Sequence, residues 1–168
     1  MKLVLTLLLC STLSTALAAS SDAEIIKVLE TVNSGEVEMA RLALKKSRDP
    51  NVERYAEKML SEHNHNNERL TRLGRDLTVA PSESSLSDQF SRNVASNRAL
   101  LSGLECRQFD RVYVDAMVND HKKVLEKLEM ELIPAARDSA LREHLIHTKE
   151  HVSRHLHHAK KMQSTLRQ

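Results

Sequence analysis

The sequence predicts an all-α protein, an antiparallel four-helix bundle with one extra short crossover helix. Three observations carry that expectation. Leu, Ala, Glu, Lys and Arg abound, while the 168 residues hold only 3 Gly, 3 Pro, 2 Tyr, 2 Phe and no Trp, a composition suited to long helices. The few helix breakers stand far apart and leave long uninterrupted stretches. Within those stretches apolar residues recur every three or four positions, the helical period.

Residues 1–18, MKLVLTLLLCSTLSTALA, stand apart from the fold. Lys2 gives a positive start, Leu3 to Leu9 a largely apolar run, and Ala16-Leu17-Ala18 a small-x-small cleavage site. This is the pattern of a secretory signal peptide, too short and wrongly flanked for a membrane span. A lipoprotein reading at Cys10 fails, because the apolar run before it is brief and a bulky Leu stands where a small residue is needed. The mature chain is expected to start near Ala19 and to form one domain over 19–168. It keeps a single cysteine, Cys106, expected to be buried rather than bridged.

The elements then follow in order. Ser21 with Glu24 three residues later forms a capping box for a first helix, about Asp22 to Ser47. Asp49 as N-cap and Pro50 at the first position open a second helix, which runs to Leu73 with Gly74 closing it in a left-handed conformation. Residues 74–85 form the one long linker. A shorter helix, Leu86 to Ser102, ends at Gly103. A third long helix runs from about Arg107 to Leu132 and stops before Pro134. Asp138 caps the last, which continues to about Thr165. The short segment is placed to cross over between the second and third long helices, as in ferritin-like bundles.

Helical spacing gives each long helix an inward stripe: Ile25, Leu29, Val32, Glu36, Met39, Ala43; then Val52, Tyr55, Met59, His63, Asn66, Leu70; then Asp110, Val114, Met117, His121, Val124; then Leu141, Leu145, Thr148, Val152, His155, Ala159. Each stripe is interrupted by at least one ligand-capable residue. A lone His on an apolar face is more often a hydrogen-bonded core residue, and a buried Met more often filler. Four such residues on four helices are another matter, because buried ionisable groups need partners and these can find one another.

One phrase recurs. YAEKMLSEH at 55–63 returns as YVDAMVNDH at 113–121, and each copy sets Tyr, Met and His at i, i+4, i+8 on one helix face. The spacing points to a pseudo-symmetric metal site with ligands Glu36, His63, His121 and His155, supported by Tyr55, Met59, Glu62, Tyr113, Met117 and Asp120. Carboxylate plus imidazole suits iron, zinc or manganese, whereas a Met–His pair favours copper. The paired Glu-x-x-His signature of di-iron bundles is lacking: it occurs once, as Glu62-x-x-His65, and the repeat does not reproduce it. In the last helix His144, His147, His151, His155 and His158 share a broad face, read as a solvated, pH-sensitive basic surface open to adventitious metal.

Other classes find no support. Net charge is +2 with acids and bases intermixed, so no basic, aromatic-studded face offers itself to nucleic acid. There is no phosphate loop, nucleophile elbow or zinc-protease motif, and no catalytic set is assigned.

The segment Glu36-Val37-Glu38-Met39-Ala40-Arg41-Leu42-Ala43, with 49–63 and the run from Phe109-Asp110-Arg111 to Asp120-His121, resembles domain-of-unknown-function family 4142. The likeness covers nearly all of the mature chain. It implies a ferritin-like bundle of bacterial origin, exported to the periplasm or associated with the outer membrane. The family's pattern falls on Glu36, His63, Asp110, Tyr113, Asp120, His121 and His155, with Glu62 where the family usually has Asp. No reaction is implied. Two readings therefore stand: a metal-binding bundle, and a structural, interaction or stress-protective bundle that binds nothing in its core.

Overall fold

The structure is a computed structural model that describes residues 21–167; the expected signal peptide and its cleavage site lie outside the described residues. All regular elements among these are helical. Helix α1 spans Asp22–Lys46, α2 Pro50–Asp76, α3 Ser85–Ser102 and α4 Cys106–Lys127. A π-helical turn, Leu128–Leu132, and a short α5, Ile133–Ala135, lead to α6, Ser139–Leu166.

The starts are where the caps place them. The Ser21 hydroxyl accepts the Glu24 amide while the Glu24 carboxylate accepts the Ser21 amide, closing the capping box on α1. Asp49 accepts from the amides of Asn51 and Val52, and Asp138 from those of Ala140 and Leu141. Each satisfies amides that a helix start otherwise leaves bare.

Two ends and one side chain correct the sequence expectation. Gly74 does not close α2; Thr78 does, at φ 55°. The amide of Val79 donates to the Gly74 carbonyl and that of Thr78 to Arg75, a Schellman closure with a threonine in the left-handed position. Gly74 is needed for space instead, since a Cβ there would lie 3.2 Å from the Val79 carbonyl oxygen. The third long helix does not stop before Pro134. A wider turn, with the Ile133 amide reaching back to Leu128, carries the helix over the proline to Ala135. Cys106 is exposed, not buried. It opens α4 at φ 52°, which turns it out of the helix register before the first core residue, Phe109.

Two hydrophobic clusters give the direction of every helix. One joins Ile25 and Leu29 of α1 to Leu70 of α2, Phe90 of α3, Val124 of α4 and Leu141 of α6. The other joins Met39 and Ala43 of α1 to Val52 of α2, Leu101 of α3, Phe109 of α4 and Ala159 of α6. The long helices α1 and α2 are thus antiparallel, as are α4 and α6, while α2 and α4 run parallel because α3 returns the chain to the end where α2 began. The main packed pairs are α1 with α2 and α4 with α6, and α3 lies along α1. Gly35 allows that approach, because a Cβ there would sit 2.4 Å from Val94 Cγ2. Asn93 and Asn97 of α3 donate to the two oxygens of Asp120 on α4, at 2.7 and 2.6 Å. No described helix is long and apolar enough to cross a membrane.

Candidate metal centre

Between the two hydrophobic clusters lies a polar layer, built where each inward stripe carries its polar residue. His63 of α2, His121 of α4 and His155 of α6 meet there, with relative exposures of only 5, 2 and 1 %. Their ring centroids are 5.4 to 6.1 Å apart. One ring nitrogen of each lies within 4.8 Å of the others.

One nitrogen of each imidazole is held by a neighbour. His63 Nδ1 donates to Asn33 Oδ1 of α1 at 2.9 Å, and Asn66 Nδ2 supports the same oxygen at 3.2 Å. His121 Nδ1 donates to the Met117 carbonyl one turn earlier, at 2.9 Å. His155 Nε2 donates to Glu62 Oε2 at 2.7 Å. A neutral imidazole has one N–H and one lone pair, so these three bonds fix where the lone pairs are. They fall on His63 Nε2, His121 Nε2 and His155 Nδ1, and all three are buried without a hydrogen-bond partner.

The electrostatics keep the lone pairs free. Burial pushes the His121 pKa down to about 3 and that of His155 to about 4, the latter against the pull of Glu62. Burial lowers His63 well below its ordinary value too, with its imidazole neighbours adding to the effect. Burial alone would raise Glu62, yet the hydrogen bonds from His155 and His151 outweigh it and hold the carboxylate at about 2. Glu62 is therefore an anion that anchors a neutral imidazole.

Glu36 belongs to the layer but not to the three-nitrogen cluster. Its Oε1 lies 3.7 Å from His121 Nδ1, the nitrogen already committed to Met117, and its Oε2 is buried without a partner. Burial, with Asp120 adding to it, raises its pKa to about 8. The contact is thus a neutral acid beside a neutral ring, not an ion pair. Glu36 in turn helps burial raise both Tyr55 and Tyr113, whose hydroxyls are also buried and unpartnered. Their rings meet edge to face at 6.5 Å.

The other expected positions separate. Met59 and Met117 are fully buried in the hydrophobic cluster with the tyrosines, and Met117 reaches the layer through its carbonyl. Asp120 faces α3 through Asn93 and Asn97. Asp110 is buried too; burial raises its pKa, with Ser47, Asp49 and Glu53 beside it, at the turn between α1 and α2. Asn33 was absent from the expected set. It stands four residues after Leu29 and three before Glu36, on the same stripe, and that spacing was the available signal. His144, read as surface, is 7 % exposed.

A first-row metal bonds imidazole nitrogen at about 2.0–2.1 Å and commonly takes three protein nitrogens with one more ligand. Three buried imidazoles, each with one unpartnered nitrogen, fit the nitrogen part of that donor set.

The family described as "Domain of unknown function (DUF4142)" matches residues 10–162, and the chain belongs to it. No curated protein and no solved structure matches the chain.

Proposed function

We propose, for this member of a family defined without a function, that the bundle holds one transition-metal ion through His63, His121 and His155. The observation that carries the reading is the pairing of each buried imidazole with an orienting acceptor, Asn33, the Met117 carbonyl or Glu62. Metal-bound histidines are oriented in this way by a partner on the second nitrogen. A core stabilised by hydrogen bonding alone would instead use both nitrogens, since an orphaned buried polar atom costs about 1–3 kcal/mol. Glu36, neutral while no cation is near, lies beside the Nδ1 edge of His121 and so supplies a balancing charge rather than a ligand once one arrives. Three imidazoles favour zinc, copper or iron over manganese.

In the same reading the fold is a ferritin-like four-helix bundle with α3 as crossover. Residues 1–18 are a signal peptide, so that the domain 19–168 works in the periplasm. Mass spectrometry of exported protein showing residues 2–18 intact would contradict that export.

Elemental analysis of the chain, without an affinity tag and purified off any chelating resin, tests the metal reading. About one ion per chain is expected. His63→Ala and His121→Ala should each abolish stoichiometric uptake, while His157→Ala should not. Equal uptake by all three variants would assign the metal to the exposed C-terminal histidines instead.

A further inference from the structure

The orienting carboxylate of the inner site has a second imidazole on it. His151 Nδ1 lies 3.1 Å from Glu62 Oε2, the same oxygen that accepts from His155 Nε2. Ligand atoms of Glu62, His151 and His155 all lie within 4.8 Å of one another. Side-chain exposure falls steeply along this trio, from 49 % at His151 to 32 % at Glu62 and 2 % at His155. A cleft of about 250 Å³ between α2 and α6 runs along it, walled further by His65, His144 and His147 and reaching His63. The histidines of α6 line one face because they recur at 144, 147, 151 and 155, a helical spacing.

We propose that Glu62, His151 and His155 Nε2 form a second, transient metal site, through which a divalent ion is loaded into the inner three-histidine site. The inference rests on the inner-site reading above. His155 is common to both sites, and its chemistry makes them alternatives. A neutral imidazole offers one lone pair at a time. With the ion on Nε2, beside Glu62 and His151, the ring proton sits on Nδ1. With the ion on Nδ1, beside His63 and His121, the proton sits on Nε2 and Glu62 accepts it. The proton count of the ring is the same in both states. The ion passes from one edge of the ring to the other, and the carboxylate that first binds it afterwards anchors the ring that keeps it.

The test uses Co²⁺ uptake by the metal-free, tag-free chain, followed by absorbance in stopped flow and by equilibrium titration. The wild-type chain should bind one tight equivalent. His151→Ala should still reach one equivalent, but load about tenfold or more slowly, the size of effect typical of supporting ligands. His63→Ala should lose the tight equivalent yet still show fast, weak binding. His157→Ala, exposed and outside the cleft, should load like wild type, and far-ultraviolet circular dichroism should be the same for all. Two tight equivalents in the wild type would overturn the alternation. An unchanged rate in His151→Ala, or an equal slowing in His157→Ala, would overturn the loading role. Tight binding kept by His63→Ala and lost by His151→Ala would leave the outer site standing and sink the inner-site reading. No uptake by the wild type would sink both.

Discussion

His121 shows how little a single residue's identity says before its surroundings are known. Burial removes its charge, and the Met117 carbonyl then decides which nitrogen carries the proton. Asn33 does the same for His63 from another helix. Asn33→Ala should therefore weaken Zn²⁺ affinity by about 10–100-fold while leaving the ligands in place, measurable by competition with a chromophoric chelator. Unchanged affinity would mean that packing alone orients His63. The depressed imidazoles also set a pH dependence for the chelator-treated chain. His121 at about 3, and His144 and His155 at about 4, sit below the ordinary 6.5. The unfolded chain takes up protons there that the folded chain refuses, so stability falls as pH drops from about 6.5 toward 4. Glu36 acts oppositely: raised from 4.5 to about 8, its contribution is full at low pH and fades as pH rises through that value. Three or four imidazoles oppose one acid below about 6.5, and Glu36 acts alone above it, so the thermal midpoint should peak near about pH 6.5 and fall more steeply on the acid side. A midpoint that stays flat from about pH 7 to 5 would contradict this.

At the scale of elements, α3 packs tightly against α1 at Gly35. Gly35→Ala would drive a methyl to 2.4 Å from Val94 Cγ2, and a β-branched side chain in a helix has little rotamer freedom to yield. The substitution should cost about 1–3 kcal/mol of unfolding free energy in urea, as overpacking does. Adding Val94→Ala should recover part of it. Additive losses would show that the helices relax by some other route. Asp120 pins the same crossover from α4, and Asp120→Ala leaves two asparagine amides without their acceptor. Amide exchange should then speed up in α3 before it does in α1. The end of α2 offers a gain. Thr78 holds φ 55°, a conformation costing a β-branched residue about 1–2 kcal/mol, so Thr78→Gly should be neutral to stabilising.

At the scale of the whole molecule, a polar layer between two hydrophobic clusters couples the four long helices. Every long helix contributes a side chain to it, so an ion bound there ties all four together and favours the folded state over the unfolded one. By mass action, Zn²⁺ at a hundredfold excess over its dissociation constant adds about 2.7 kcal/mol. That should raise the thermal midpoint by roughly 5–10 °C. His63→Ala should show no such rise. A similar rise in that variant would place the stabilising ion elsewhere.

The sequence by itself determined the helices and their inward faces, because composition, caps and period are local properties. Ser21, Asp49 and Asp138 start their helices in the structure, and His63, His121 and His155 stand on the inward faces their spacing predicts. Family membership was also legible, in the repeated Tyr-Met-His phrase and its neighbours. Only the tertiary structure decided which side chains meet and what holds each one. The phrase is repeated, yet its two histidines are anchored differently, one by Asn33 across the bundle and one by its own backbone. Glu36 has the right period but stands on the far side of His121, a difference of angle that a linear spacing does not encode. Glu62 is expected to support the ligand set although helical phase puts it off the stripe, and it is the arrival of α6 that makes it the anchor of His155. A sequence records which residues share a helix face, and only packing between helices sets the distances on which a ligand set depends.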